Sequence, residues 1–211
     1  MTGEKKRIFV KAIILGLAAA GVAAAALTPF YFESQSLYYK FGTDKALLQW
    51  GKTAGLVAVV LMVYQIVFVS RFSFLEDLFS MKQLFSVHRL CGIFISVLAV
   101  GHPLLVLGAD GFTFFPLELR YWPEFVGGFT MILVLGIVLV SVYRAGLNIR
   151  IKTWRLLHRM ATPLAAGVAL VHAGFVSETF NFSIPKAGLT LAIGAVLVLF
   201  ARIYIKRIFR P

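Results

Sequence analysis

SVHRLCGIFISVLAVGHPLL, residues 86–105, is an apolar run that carries two histidines, His88 and His102, fourteen positions apart. As a helix, fourteen residues rise about 21 Å and turn through just under four revolutions, so both rings fall on nearly one face. The other two histidines repeat the spacing: His158 and His172 stand in LLHRMATPLAAGVALVHAG, residues 156–174. A chain that places all of its imidazoles in two equal pairs invites the question of what surrounds them.

The surroundings are lipid. Of 211 residues, 60% are hydrophobic and 14% charged, and the mean hydropathy is +0.87. A water-soluble domain has too little interior to hide that much apolar surface. Six runs, about 9–31, 46–69, 84–107, 124–143, 157–177 and 186–205, reach the roughly 20 helical residues that a bilayer core of about 30 Å requires. Backbone groups cannot stay unpaired in hydrocarbon, so each run is expected to be a helix. The first run ends in an alanine-rich stretch, but its length reads as a span rather than a cleaved signal.

A net charge of +12 would suggest nucleic acid as the partner of a soluble chain. Here the basic residues cluster at the ends of the apolar runs, so no nucleic-acid partner is expected and the charge reports orientation. The N-terminus, the 70–89 and 144–159 connections and the C-terminus, all on one side, hold 16 of the 21 Lys and Arg residues and three of the nine acidic ones. Both termini are therefore expected in the cytoplasm. No strand-like alternation and no Gly-rich phosphate loop stands out, so the chain is read as a single transmembrane domain over 1–211 with no FAD or NAD(P) site. The one cysteine, Cys91, excludes an intramolecular disulfide.

The third and fifth spans run in the same direction, which sets His88 level with His158 and His102 level with His172. A lone buried histidine in a membrane helix is ordinarily a packing residue bonded across helices. Four at such depth, in two equal pairs, point further, because polar groups there are costly. Two neutral imidazoles from opposite helices make an axial ligand set for haem iron, whereas zinc would want further ligands that are absent at this depth. The shared faces are mostly small: Gly92, Ile95 and Ala99 on one helix, Thr162, Ala165 and Ala169 on the other. Gly92 and Ala165 are therefore read as lining the cofactor. The expected fold is an all-α integral membrane bundle of six helices enclosing two b-type haems, with His88, His102, His158 and His172 as iron ligands.

Arg89 and Arg159 each follow a histidine. Each suits a haem propionate, and each equally obeys the positive-inside pattern. On the other side Lys52, Arg120, Tyr121 and Trp122 would serve the second haem's propionates or form an interfacial belt. Phe94 and Met160 lie near the level between the pairs, where packing is their ordinary role. GADGFTFFPLELRYWPEF, residues 108–125, is a candidate docking or lid surface, and FLEDLFSMKQLF, residues 74–85, is expected to lie along the inner membrane surface.

SRFSFLEDLFSMKQLFSVHRLCGIF, residues 70–94, resembles the approach to the third helix of ferric reductase-like transmembrane domains, and WRLLHRMATPLAAGVALVHAG, residues 154–174, resembles their fifth helix. The resemblance extends over roughly 46–205. It implies a two-haem electron conduit in which His88 and His158 hold the cytoplasmic-side haem and His102 and His172 the outer one. Ferric reductases and NADPH oxidases continue into a flavin and nicotinamide module. This chain ends at KRIFRP, so the expected donor is a separate cytosolic flavoprotein or a quinol, and the acceptor an extracytoplasmic ferric chelate, oxygen or partner reductase. The haem subunit of a periplasmic methionine sulfoxide reductase system is a shorter relative, but its position corresponding to His88 is usually not histidine. A quinone-linked cytochrome b subunit shares the fourteen-residue spacing but fits the His-Arg pairs less well. A third reading is a haem-stabilised scaffold without a redox role. The expected location is a bacterial inner (plasma) membrane.

Overall fold

The computed structural model describes residues 3–70, 72–113 and 118–208, with side chains through Arg202. Among the described residues eight α-helices follow in chain order: α1 Gly3–Tyr31, α2 Gln35–Tyr38, α3 Gly42–Val69, α4 Ser73–Leu78, α5 Met81–Gly108, α6 Trp122–Tyr143, α7 Ile151–Val176 and α8 Ser183–Ile208. Among the described residues there is no strand. Six of the helices, α1, α3, α5, α6, α7 and α8, are long and apolar enough to cross a membrane. The protein is an all-helical six-span membrane bundle.

The spans start earlier than hydropathy suggests. α1 begins at Gly3 rather than near 9, α3 at Gly42 rather than near 46, and α7 at Ile151 rather than near 157. Hydropathy registers only the lipid-soluble stretch, whereas intrahelical hydrogen bonds continue through polar first turns such as GEKKR and IKTWR. α5 has a defined start: the Ser80 hydroxyl accepts from the Gln83 amide at 3.3 Å while the Ser80 amide donates to Gln83 Oε1 at 3.0 Å. This reciprocal capping box fixes the first turn. It also divides residues 74–85 between two helices. α4 ends at Leu78, Phe79 and Ser80 are extended, and Met81 begins α5, so the segment is not one continuous helix.

α3 is the central helix, packed against α1, α5, α7 and α8, while α6 lies along α7. Val63 and Ile66 of α3 meet Ala166 and Leu170 of α7 and Val196 and Leu199 of α8 in one buried cluster. A second cluster joins Ile95, Val134 and Ala165 from α5, α6 and α7. The outer surface is greasy, with Leu17 68% and Ile132 66% exposed; this is expected where lipid is the solvent.

An even number of spans returns both termini to one end. There Arg7 donates to the Leu78 carbonyl at 3.4 Å and Arg202 lies 4.1 Å from the Phe72 ring centre. At the loop end, Thr179 donates to the Phe32 carbonyl at 3.3 Å and Lys40 pairs with Asp110 at 2.6 Å. Of the basic residues counted above, Arg71 and Arg210 lie outside the described residues, as do the side chains of Lys206 and Arg207 and residues 114–117 of the proposed docking loop.

Candidate functional site

α5 and α7 bring the histidines together in pairs. The His88 and His158 rings are 5.9 Å apart, centroid to centroid, near the end that bears the termini. The His102 and His172 rings are 6.1 Å apart toward the loop end. Between the two levels the space is filled: Ile95 and Ala165 pack with Val134, so Ala165 sits in an aliphatic plug. Gly92 faces α3, where an added Cβ would lie 3.5 Å from Gln65 Nε2.

Ring nitrogens decide what each pair can bind. His102 Nδ1 lies 2.8 Å from the Gly51 carbonyl oxygen, and His172 Nδ1 lies 2.7 Å from that of Pro123. A carbonyl only accepts, so both Nδ1 atoms carry the hydrogen and Nε2 keeps its lone pair. His158 reaches the same tautomer through a side chain. The Ser141 hydroxyl donates to the Ile137 carbonyl at 2.6 Å and accepts from Trp154 Nε1 at 3.2 Å. With that hydrogen committed, His158 Nδ1, 3.3 Å from Ser141 Oγ, is the donor. Trp154 also flanks the His158 ring at 5.4 Å. His88 differs: its Nδ1 is buried with no hydrogen-bond partner among the described residues.

The two loop-side anchors share a construction that the sequence reading missed. Gly51 O holds His102, and four residues on, a Cβ at Gly55 would lie 2.9 Å from His102 Nδ1. Pro123 O holds His172, and four residues on, a Cβ at Gly127 would lie 2.7 Å from His172 Nδ1. In each case a carbonyl receives the ring and a glycine one turn later makes room for it. The visible signal is G-x-x-x-G at 51–55 and P-x-x-x-G at 123–127, a spacing that lets helices approach closely.

This arrangement fits a metal between the rings. An imidazole nitrogen binds a transition metal at about 2 Å, and about 1 Å more reaches the ring centre, so two opposed ligands have centroids about 6 Å apart. Both pairs have that separation, and three of the four rings have Nδ1 occupied by a neighbour that leaves Nε2 for the metal. Among the described residues no group of three or more His, Cys, Asp or Glu could hold a metal ion, so the candidate ligand sets are these pairs.

The remaining expected residues are disposed unevenly. Arg89 and Arg159 are exposed, and neither has a hydrogen bond or ion pair with another described residue. Lys52 donates to the hydroxyls of Ser34 and Ser36. Arg120 pairs with Glu118 at 2.8 Å and lies over the Tyr121 ring, and Trp122 packs on Phe175. Phe94 and Met160 are 51% and 45% exposed, turned outward from the level between the pairs.

A six-span bundle with two stacked pairs of opposed imidazoles defines a membrane protein with candidate metal centres at two depths. The model of the ferric reductase like transmembrane component family matches residues 54–170, more than half of the chain. This protein belongs to that family. Membership gives it a role in membrane electron transfer, with redox partners, and domains of this family generally bind haem. The matched span contains His88, His102 and His158, and His172 lies two residues beyond it. Comparison with curated proteins and with solved structures returns no match.

Proposed function

We propose that the chain is one transmembrane domain that carries two b-type haems and passes electrons across the bilayer. His88 and His158 would hold one haem near the cytoplasmic face, and His102 and His172 would hold the other toward the outside. The carrying observation is the equal spacing of the two ring pairs, 5.9 and 6.1 Å, together with Nδ1 anchors that leave Nε2 as the ligand atom. Bound haem would supply at each level a one-electron iron couple.

The protein's own groups orient and insulate. Gly51 and Pro123 carbonyls hold the outer rings in one tautomer, and the Ser141 hydroxyl holds His158. Ile95, Val134 and Ala165 keep water from the level between the pairs. Ala165 in the aliphatic plug and Gly92 against Gln65 let the helices pack closely between and beside the two levels. Arg89 and Arg159, exposed beside the inner pair, are suited to propionates. Two imidazoles on one iron leave no open coordination position, so the outer acceptor would be reduced without binding to iron.

The charge bias supports cytoplasmic termini in an inner membrane. The donor would be a cytosolic flavoprotein or a quinol, and the acceptor an extracytoplasmic ferric chelate, oxygen or partner reductase. Purified protein is expected to show a low-spin b-type spectrum with a haem-to-protein ratio near two. A ratio near one, or His88→Ala with spectrum and ratio intact, sinks the two-haem assignment.

A further inference from the structure

Gln65 is a polar side chain in the middle of an apolar seam. It is 9% exposed on α3, within a few residues of the end that bears the termini. Its Nε2 crosses to α5 and donates to the backbone carbonyl of His88 at 2.8 Å. That bond fixes which way the amide points, since the opposite orientation would set two oxygens against each other. The amide oxygen Oε1 is then left buried with no partner, and His88 Nδ1 is buried with no partner as well. An unused acceptor and an unused ring nitrogen therefore belong to two residues already joined by a hydrogen bond. In a membrane interior each unmade bond is costly. The other three histidines have their Nδ1 committed to Gly51, Pro123 and Ser141; the His88 ring lies near the Gln65 main-chain carbonyl, but its Nδ1 completes no hydrogen bond among the described residues.

We infer that Gln65 is the positioning residue of His88: its Oε1 accepts the Nδ1 hydrogen when the inner pair is assembled on haem, while Nε2 keeps its hold on the His88 carbonyl. The inference rests on the two-haem reading. Gln65 then does for His88 what Gly51 does for His102. It selects the tautomer that offers Nε2, fixes the ring's rotation, and makes the imidazole a stronger electron donor to iron. Gly92 lies beside this pair: a Cβ there would make ordinary contact with Gln65 Nε2 at 3.5 Å.

The test is a spectroelectrochemical titration of the purified, haem-loaded full chain, with the inner haem identified by its loss in His158→Ala. Gln65→Met keeps the volume and removes the acceptor. It is expected to retain two haems and to favour reduction of the inner haem about tenfold, which for one electron is about 59 mV upward. The outer potential is expected to stay put, and the low-field electron paramagnetic resonance signal of the inner haem to move. Gln65→Glu restores an acceptor and is expected to shift the same haem downward. Should Gln65→Met fail to accumulate, Gln65→Asn carries the test: it withdraws the amide by one methylene and is expected to raise the same potential. A variant that holds two haems with neither potential moved, or with both moved alike, overturns the assignment of Gln65 alone. Wild-type protein that binds no haem overturns the two-haem reading and this inference with it.

Discussion

At Gly127 a single methyl group stands between the observed ring position and a clash. Its Cβ would lie 2.7 Å from His172 Nδ1, whereas at the adjacent Gly128 nothing lies within 4 Å. The ring cannot step aside without leaving the Pro123 carbonyl. Gly127→Ala is therefore expected to lower the haem-to-protein ratio from near two toward one. Gly128→Ala is expected to leave the ratio alone and, as an alanine in a helix, to be stabilising by up to about 1 kcal/mol. Pyridine haemochrome assay of both variants reads the contrast, and equal ratios would mean that His172 does not need this place. Ser141 supports a parallel case at the other level. Ser141→Ala strands the Trp154 indole and the His158 ring together, and losing the shared acceptor is expected to cost about 1–3 kcal/mol. Thermal denaturation followed by tryptophan fluorescence measures it.

Helix ends and seams set where those residues can sit. His88 is eight positions into α5, and the register of that helix starts at the Ser80 capping box. Ser80→Ala is expected to cost about 1 kcal/mol, the ordinary value of such a cap, seen as a modest fall in Tm in detergent. A larger fall is expected for Gly51→Val at the α3–α5 seam. There a Cβ would meet the Val106 backbone nitrogen at 3.1 Å, and a backbone cannot rotate away as a side chain can, so overpacking of about 1–3 kcal/mol follows. A Tm for Gly51→Val no lower than that for Ser80→Ala would show that the seam is looser than these distances imply. Sequence alone exposed the spans, since a run of 20 apolar residues has few other solutions. It did not expose their first turns, nor the break at Phe79 and Ser80, because a capping box and two extended residues leave no trace in average hydropathy. The histidines were legible for a related reason: four imidazoles at equal spacing contrast with everything around them. Their anchors were not, because a carbonyl has no letter in the sequence, and Gly55 and Gly127 gain meaning only once the rings are seen against them. Gln65 does not stand out in the sequence, because one polar residue in a long apolar run looks incidental until its partner atom is located.

For the molecule as a whole, the proposed two-haem conduit requires the two pairs to act in series. Fourteen residues of α5 and of α7 separate the levels by about 21 Å of helix, and aliphatic packing fills the interval. Neither pair alone can span a hydrocarbon core of about 30 Å. A conduit made this way has a distinct failure mode: removing one level should stop transfer without stopping reduction at the other. Vesicles with the termini outward, checked by trypsin cleavage at the Lys5–Arg7 cluster, would receive an impermeant reductant outside and an impermeant oxidant trapped inside. Wild-type protein is expected to discharge the trapped oxidant. His102→Ala keeps His88 and His158 in place and is expected to be reduced from outside while leaving the trapped oxidant untouched. His88→Ala is expected to lose both signals, because the entry level is the one removed. A His102→Ala protein that still discharges the oxidant at the wild-type rate would take the outer pair out of the path, whatever it binds. The order of these losses, and not the presence of colour, is what separates a wire from a scaffold that happens to hold haem.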